Sequence, residues 1–203
     1  MEGIGIGTSD FKKLRIKDYY YIDKTMYIKD ILDNKSEIVL VTRPRRFGKT
    51  LNMSMLKYYF DCTKKDSKEL FQGLKILEQE EKYTSKLGYY PVIYVTLKDA
   101  GLMNYNLMMM QLKTIMMEVY YEHRYVLEKE EMSEGERKIF NRMLSAEAND
   151  IDIMNSLKIL SKILYQYYNK PVILLIDEYD VPLQNAYIQG YYEEAVSFYR
   201  TFY

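Results

Sequence analysis

One cysteine, one histidine and no tryptophan stand among the 203 residues. Cys62 alone excludes an intrachain disulfide, and with only His123 beside it a Cys/His zinc cluster is excluded as well. Neither sign of charge is in excess: 29 basic residues face 29 acidic ones. No global field therefore draws the chain to nucleic acid or to an anionic membrane. No apolar run can span a bilayer, because the densest window, 102–121, is broken by Asn104, Asn106, Gln111, Lys113 and Glu118. Residues 1–8 lack the basic and long apolar regions of a secretory signal, so the cytoplasm is the expected compartment. Internal repeats and low-complexity linkers are also missing.

A further absence is local. Arg43-Pro44-Arg45-Arg46-Phe47-Gly48-Lys49-Thr50 lacks the first glycine of the phosphate-loop pattern G-x-x-x-x-G-K-[ST] but keeps its essential end. Gly48 lets the backbone approach a phosphate without a Cβ in the way. Lys49 supplies a flexible charge for the β- and γ-phosphates, and Thr50 offers a hydroxyl to Mg²⁺. Residues 37–42 read as a buried strand and residues 51–60 as a helix. Strand, loop and helix in that order aim free N–H groups and the positive end of a helix at an anion. Pro44 has no N–H to give, so the cradle is expected mainly from the amides of residues 45–50. The nucleotide-binding set is then Arg45, Arg46, Phe47, Gly48, Lys49, Thr50 and Leu51. Arg45 and Arg46 either bring guanidinium forks to phosphate oxygens or simply face solvent or pair with Asp180.

The complementary signal lies far downstream. Residues 171–176, P-V-I-L-L-I, form an unbroken apolar run of the kind expected in a parallel strand covered on both faces. The run ends in Asp177-Glu178-Tyr179-Asp180. A carboxylate at the C-terminal end of such a strand falls at the ligand edge of an open α/β sheet. Asp177 is the expected metal ligand with Thr50, and Glu178 the group that polarises an attacking water. The plainer alternative is that these acids cap a helix beginning near Val181.

Taken together, these stretches resemble the bacterial AAA-ATPase-like family, a P-loop group often fused to a C-terminal PD-(D/E)XK-type nuclease domain. The resemblance runs through Phe11, Tyr21-Ile22-Asp23-Lys24-Thr25, the R-P-R-R-F-G-K-T loop and Leu175-Ile176-Asp177-Glu178-Tyr179-Asp180-Val181-Pro182-Leu183. It implies an α/β P-loop NTPase fold, a mostly parallel sheet flanked by helices, with ATP and Mg²⁺ as cofactors. In related P-loop ATPases the segment before the phosphate loop packs on the base, which makes Tyr21, Ile22, Asp23, Lys24 and Thr25 the adenine-pocket candidates.

The remaining organisation fits one α/β domain. Short helices are expected over 11–17 and 25–34 around a brief strand at 19–22, with Asp23 capping the second helix. The stretch 63–87 reads as charged and helical, 90–97 as a strand, and 104–125, 134–146 and 151–168 as helices. Methionines 103, 108, 109, 110, 116 and 117 cluster on the first of these three, filling a core or serving a partner surface. In ATPases of this class a sensor strand follows the Asp177-type strand in sequence and lies between it and the phosphate-loop strand. The chain is therefore expected to stop before its sensor strand and before any nuclease domain, with strands 37–42 and 171–176 in one sheet. Open strand edges then make a homo-oligomer an expected partner state.

Two functions follow from different classes. One is an ATPase in which Lys49 and Glu178 carry catalysis on Mg²⁺·ATP. The other is a nucleotide-binding regulatory module with little turnover, attached to a nucleic-acid-processing domain. A GTPase is disfavoured, since the guanine-reading N-K-x-D is absent. The expected partners are a nucleotide, nucleic acid only through a further domain, and no membrane.

Overall fold

Phe11 is 0% exposed, and the first half of the chain assembles around its ring. In the computed structural model, which describes residues 3, 5, 7–42, 47–64, 66–128, 132–145 and 147–203, the chain divides into two units, Met1–Val92 and Ile93–Tyr203. Within the first unit, Asp10 caps helix α1 (Phe11–Ile16) by accepting from the Lys13 amide. The Phe11 ring lies 5.0 Å from Phe71 and 5.4 Å, edge-on, from Tyr21. Helix α3 (Lys49–Phe60) brings Met55, Leu56, Tyr59 and Phe60 into this cluster, with Tyr59 edge-on to Phe71 at 5.1 Å. A polar bond locks the two helices together, because the buried Phe11 N–H donates to Ser54 Oγ at 3.0 Å.

Helix α2 (Met26–Asp33) follows α1 as expected. The stretch 63–87 departs from expectation. It is broken into helix α4 (Ser67–Leu70), a 3₁₀ turn (Lys75–Glu78) and helix α5 (Glu81–Thr84). Gly73 and Gly88 sit at φ +74 and +64 beside these pieces, a backbone that ends helices and favours glycine. The strand expected at 19–22 reduces to a single parallel bridge between Gly3 and Tyr19.

The buried strand expected at 37–42 is not formed. These residues carry no regular structure, and Ile38 and Leu40 are 87% and 65% exposed. An apolar, β-branched run becomes a strand only when a neighbour pairs its backbone and a second layer covers its side chains. Neither neighbour exists among the described residues.

The second unit supplies the sheet. Strand β1 (Val92–Thr96) pairs with strand β2 (Ile173–Asp177), close to the expected 90–97 and 171–176. Leu97 N–H donates to the Asp177 carbonyl at 2.9 Å, so the C-terminal ends of both strands lie side by side and the pair is parallel. The neighbour of β2 is thus β1, and the expected common sheet with 37–42 is replaced by a two-stranded one among the described residues. Between the strands run helices α6 (Tyr105–Glu122), α7 (Glu134–Leu144), α8 (Asp150–Met154) and α9 (Ser156–Tyr168). After β2 come α10 (Val181–Gln189) and α11 (Tyr192–Phe202). The stripe Ile153, Leu157, Leu160 and Leu164 faces the core, with Met108, Met109 and Met116 from α6. Met103, Met110 and Met117 are exposed instead, so only part of the methionine cluster fills the core.

Because Ser54 satisfies a buried amide, Ser54→Ala leaves that N–H without a partner. We expect it to lower the unfolding free energy by about 1–3 kcal/mol, measured by urea denaturation.

Candidate functional site

The phosphate-loop end falls at the start of α3. Gly48 occupies the position before the helix with φ +76 and ψ 24, a left-handed geometry that favours glycine. Lys49 and Thr50 are the first two helical residues and Leu51 the third. Asn52 N–H donates to the Gly48 carbonyl, so the amides of Lys49, Thr50 and Leu51 are the ones that point off the helix end. No acidic residue lies in the first turn to compete with an incoming anion. Lys49, Thr50 and Leu51 are half-buried, while Phe47 is 61% exposed. Arg43, Pro44, Arg45 and Arg46 lie outside the described residues, and with them the proposed guanidinium contacts.

The adenine-pocket candidates divide into two groups. Tyr21 Oη donates to Met55 Sδ on α3 at 3.3 Å, and burial pushes its phenol up to about 12. Met55 stands seven positions beyond Gly48, which is about 10 Å along the helix axis. Ile22 is 64% exposed, Lys24 is exposed as well, and Tyr20 beside them is 61% exposed. Asp23 and Thr25 are spent internally. Asp23 Oδ1 accepts from the Thr25 amide at 2.8 Å and its hydroxyl at 2.6 Å, while Oδ2 accepts from the Lys75 amide at 2.9 Å. Thr25 Oγ1 in turn accepts from the buried Ile76 amide at 3.2 Å. Asp23 is therefore not the cap of α2; Thr25 holds that position, without a side-chain cap bond. The D-K-T segment ties the 3₁₀ turn to the start of α2.

In the second unit Asp177 ends β2 and is 4% exposed. Its Oδ2 lies 3.5 Å from Tyr94 Oη on β1. Glu178 follows with φ +54, a left-handed conformation that costs a residue with a Cβ about 1–2 kcal/mol. Such strain gathers where a side chain must be aimed. The Glu178 carbonyl accepts from Val181 N–H at 3.1 Å, and the Tyr179 carbonyl from Tyr203 Oη at 3.0 Å. Asp180 takes the position before α10 but makes no capping bond; its Oδ2 accepts from Gln184 Nε2 at 2.6 Å. Its Oδ1 is buried without a hydrogen-bond partner among the described residues. The capping alternative thus fails for Asp180, and Asp177 and Glu178 precede the helix.

Sequence reasoning missed Ser54 and Tyr94. Nothing local marks either residue, because each acts on a partner 43 or 83 positions away. Within the second unit Asp177 offers a buried carboxylate, a hard oxygen donor of the kind Mg²⁺ prefers. Among the described residues no group of three or more histidine, cysteine or acidic side chains could hold a metal on its own, and no helix is long and apolar enough to cross a membrane.

Burial works against ionisation of Asp23, but the Lys75 and Thr25 donors outweigh it and hold its carboxyl below the ordinary 3.8. A folded-state value lowered in this way adds stability above the unfolded value that is lost as pH falls through the folded one. We expect Asp23→Asn to lose about 1 kcal/mol at pH 7 and to show a flatter acid limb than the parent, measured by denaturant melts from pH 7 to pH 2.

A 72-residue stretch is 38% identical to the "Uncharacterized protein in vnfD 5'region" of Azotobacter chroococcum mcd 1, covering 35% of this chain and 13% of that protein. The chain thus matches only a small part of that relative's length. No solved structure matches this chain. The family model described as "Predicted AAA-ATPase" matches residues 5–203. With the glycine-led helix α3 and the acid-tipped strand β2 inside that span, the chain belongs to the AAA-ATPase-like family.

Proposed function

We propose that this chain is the nucleotide-binding part of a Mg²⁺-dependent ATPase. The observation that carries the reading is Gly48 in left-handed geometry, opening α3 with Lys49 and Thr50 as its first two residues. The amides of Lys49, Thr50 and Leu51 receive phosphate oxygens, and the Lys49 ammonium adds a point charge to them. Exposed Ile22, beside Tyr20 and Tyr21, offers an apolar face to the base, whereas Asp23 and Thr25 hold the segment in shape.

Thr50 and Asp177 are the residues proposed to hold Mg²⁺, which when bound would neutralise charge on the β- and γ-phosphates. Glu178 is assigned the orientation of the attacking water and accepts its proton as the water oxygen bonds the γ-phosphorus and the bond to the departing ADP oxygen breaks. Its left-handed backbone supports that assignment. A left-handed residue directly after a strand end ends the extended course of the backbone at the acid.

Removing the charge at Lys49 should weaken ATP binding about tenfold to a hundredfold without unfolding the chain. Calorimetry on Lys49→Ala checks this, and unchanged affinity in a folded variant refutes the phosphate loop.

Glu178→Gln is expected to keep ATP affinity and to lose turnover in a single-turnover phosphate-release assay. Glu178→Gly should also lose turnover, yet raise the melting temperature by relieving the left-handed backbone. Parental turnover in Glu178→Gln would overturn the catalytic assignment and leave a nucleotide-binding regulatory module.

A further inference from the structure

Asp177 reaches its place by a backbone constraint. The Leu97 amide holds the Asp177 carbonyl at 2.9 Å, which fixes the end of β2 against the end of β1. The carboxylate beyond it is 4% exposed, so it cannot rely on bulk water for orientation. Tyr94 sits at the centre of β1, half-buried between Ile93 and Val95, which are 0% and 1% exposed. Side chains lean along the strand, and a phenol is long enough to carry its hydroxyl forward to the strand end. Its Oη stands 3.5 Å from Asp177 Oδ2, a long contact that a small rotation of the phenol or the carboxylate would close to a hydrogen bond.

A phenylalanine would keep the ring and lose only the hydroxyl. The hydroxyl is the atom of Tyr94 that approaches the acid at the strand end. We propose that Tyr94 is a positioning residue for Asp177: by donating to Oδ2 it sets the rotation of the carboxylate and leaves Oδ1 to meet a divalent cation. Outer partners of this kind orient a ligand oxygen and tune its metal affinity without touching the metal. This inference rests on the proposed Mg²⁺·ATP reading.

The test is a double-mutant cycle on the full chain, read as the ratio of ATP dissociation constants without and with MgCl₂. Parent, Tyr94→Phe, Asp177→Asn and the double variant are measured by calorimetry, each after a thermal melt confirms folding. Loss of the hydroxyl should reduce the magnesium enhancement about fivefold to tenfold in the parent background. In the Asp177→Asn background the same substitution should change nothing further, because the group it positions is gone. Equal losses in both backgrounds would mark a packing effect and overturn the proposal, as would an unchanged enhancement in Tyr94→Phe. A parent without magnesium enhancement, or one that Asp177→Asn leaves intact, overturns the metal assignment itself. Those two outcomes separate failure of the underlying reading from failure of the inference about Tyr94.

Discussion

A helix can offer unpaired amides to a ligand only if its other surfaces hold it still. That condition is met for α3 by the aromatic cluster of Phe11, Tyr59, Phe60 and Phe71, all at or below 1% exposure. The Ser54–Phe11 bond adds direction to what would otherwise be a nondirectional apolar contact. Tyr21, packed on Phe11 and bonded to Met55, belongs to the same block. The start of α3, the Tyr21 segment and the core of the first unit therefore share one set of contacts. A change in the cluster would be felt at Gly48.

The second unit solves a different problem. It must present a buried carboxylate and its neighbour at the end of a strand without losing them to the core. Parallel pairing with β1 places the acid at the edge where both strands end. The unusual backbone at Glu178 then turns the chain out of the strand before α10 begins. Pro182, near the start of that helix, costs no hydrogen bond there, since the first amides of a helix have no intrahelical partner. The apolar stripe of α9 and the buried methionines of α6 supply the packing beneath β2. Strain at Glu178 is sustained by that surrounding structure and not by its own preferences.

In the D-K-T segment the capping role expected of Asp23 gives way to a tertiary tether. Asp23 and Thr25 are polar and sit beside exposed Ile22 and Lys24. Their hydrogen bonds go to the amides of Lys75 and Ile76, about fifty positions away. Capping geometry and tertiary tethering draw on the same acceptor oxygens, and a sequence does not say which donor arrives. Ile22, within the pattern, and Tyr20, just before it, are the exposed residues of this segment.

What was legible from residues alone is what depends on near neighbours. The helix expected over 51–60 behind Gly48-Lys49-Thr50 is α3, which begins two residues earlier, at Lys49. The apolar run ending in Asp177 announced a strand with an acid at its tip, and β2 ends there. Periodicity located the main helices of the second unit, because burial of one face repeats at the helical period. Tertiary structure alone decided which apolar runs pair. Residues 37–42 and 173–177 have similar composition, yet only the second meets a partner strand, and even there Leu174 stays 38% exposed where cover on both faces was expected. A strand's ladder is made by residues remote in the chain, so its own sequence carries the readiness to pair but not the pairing. The same reason hid Ser54 and Tyr94, whose partners are set by the approach of distant backbone.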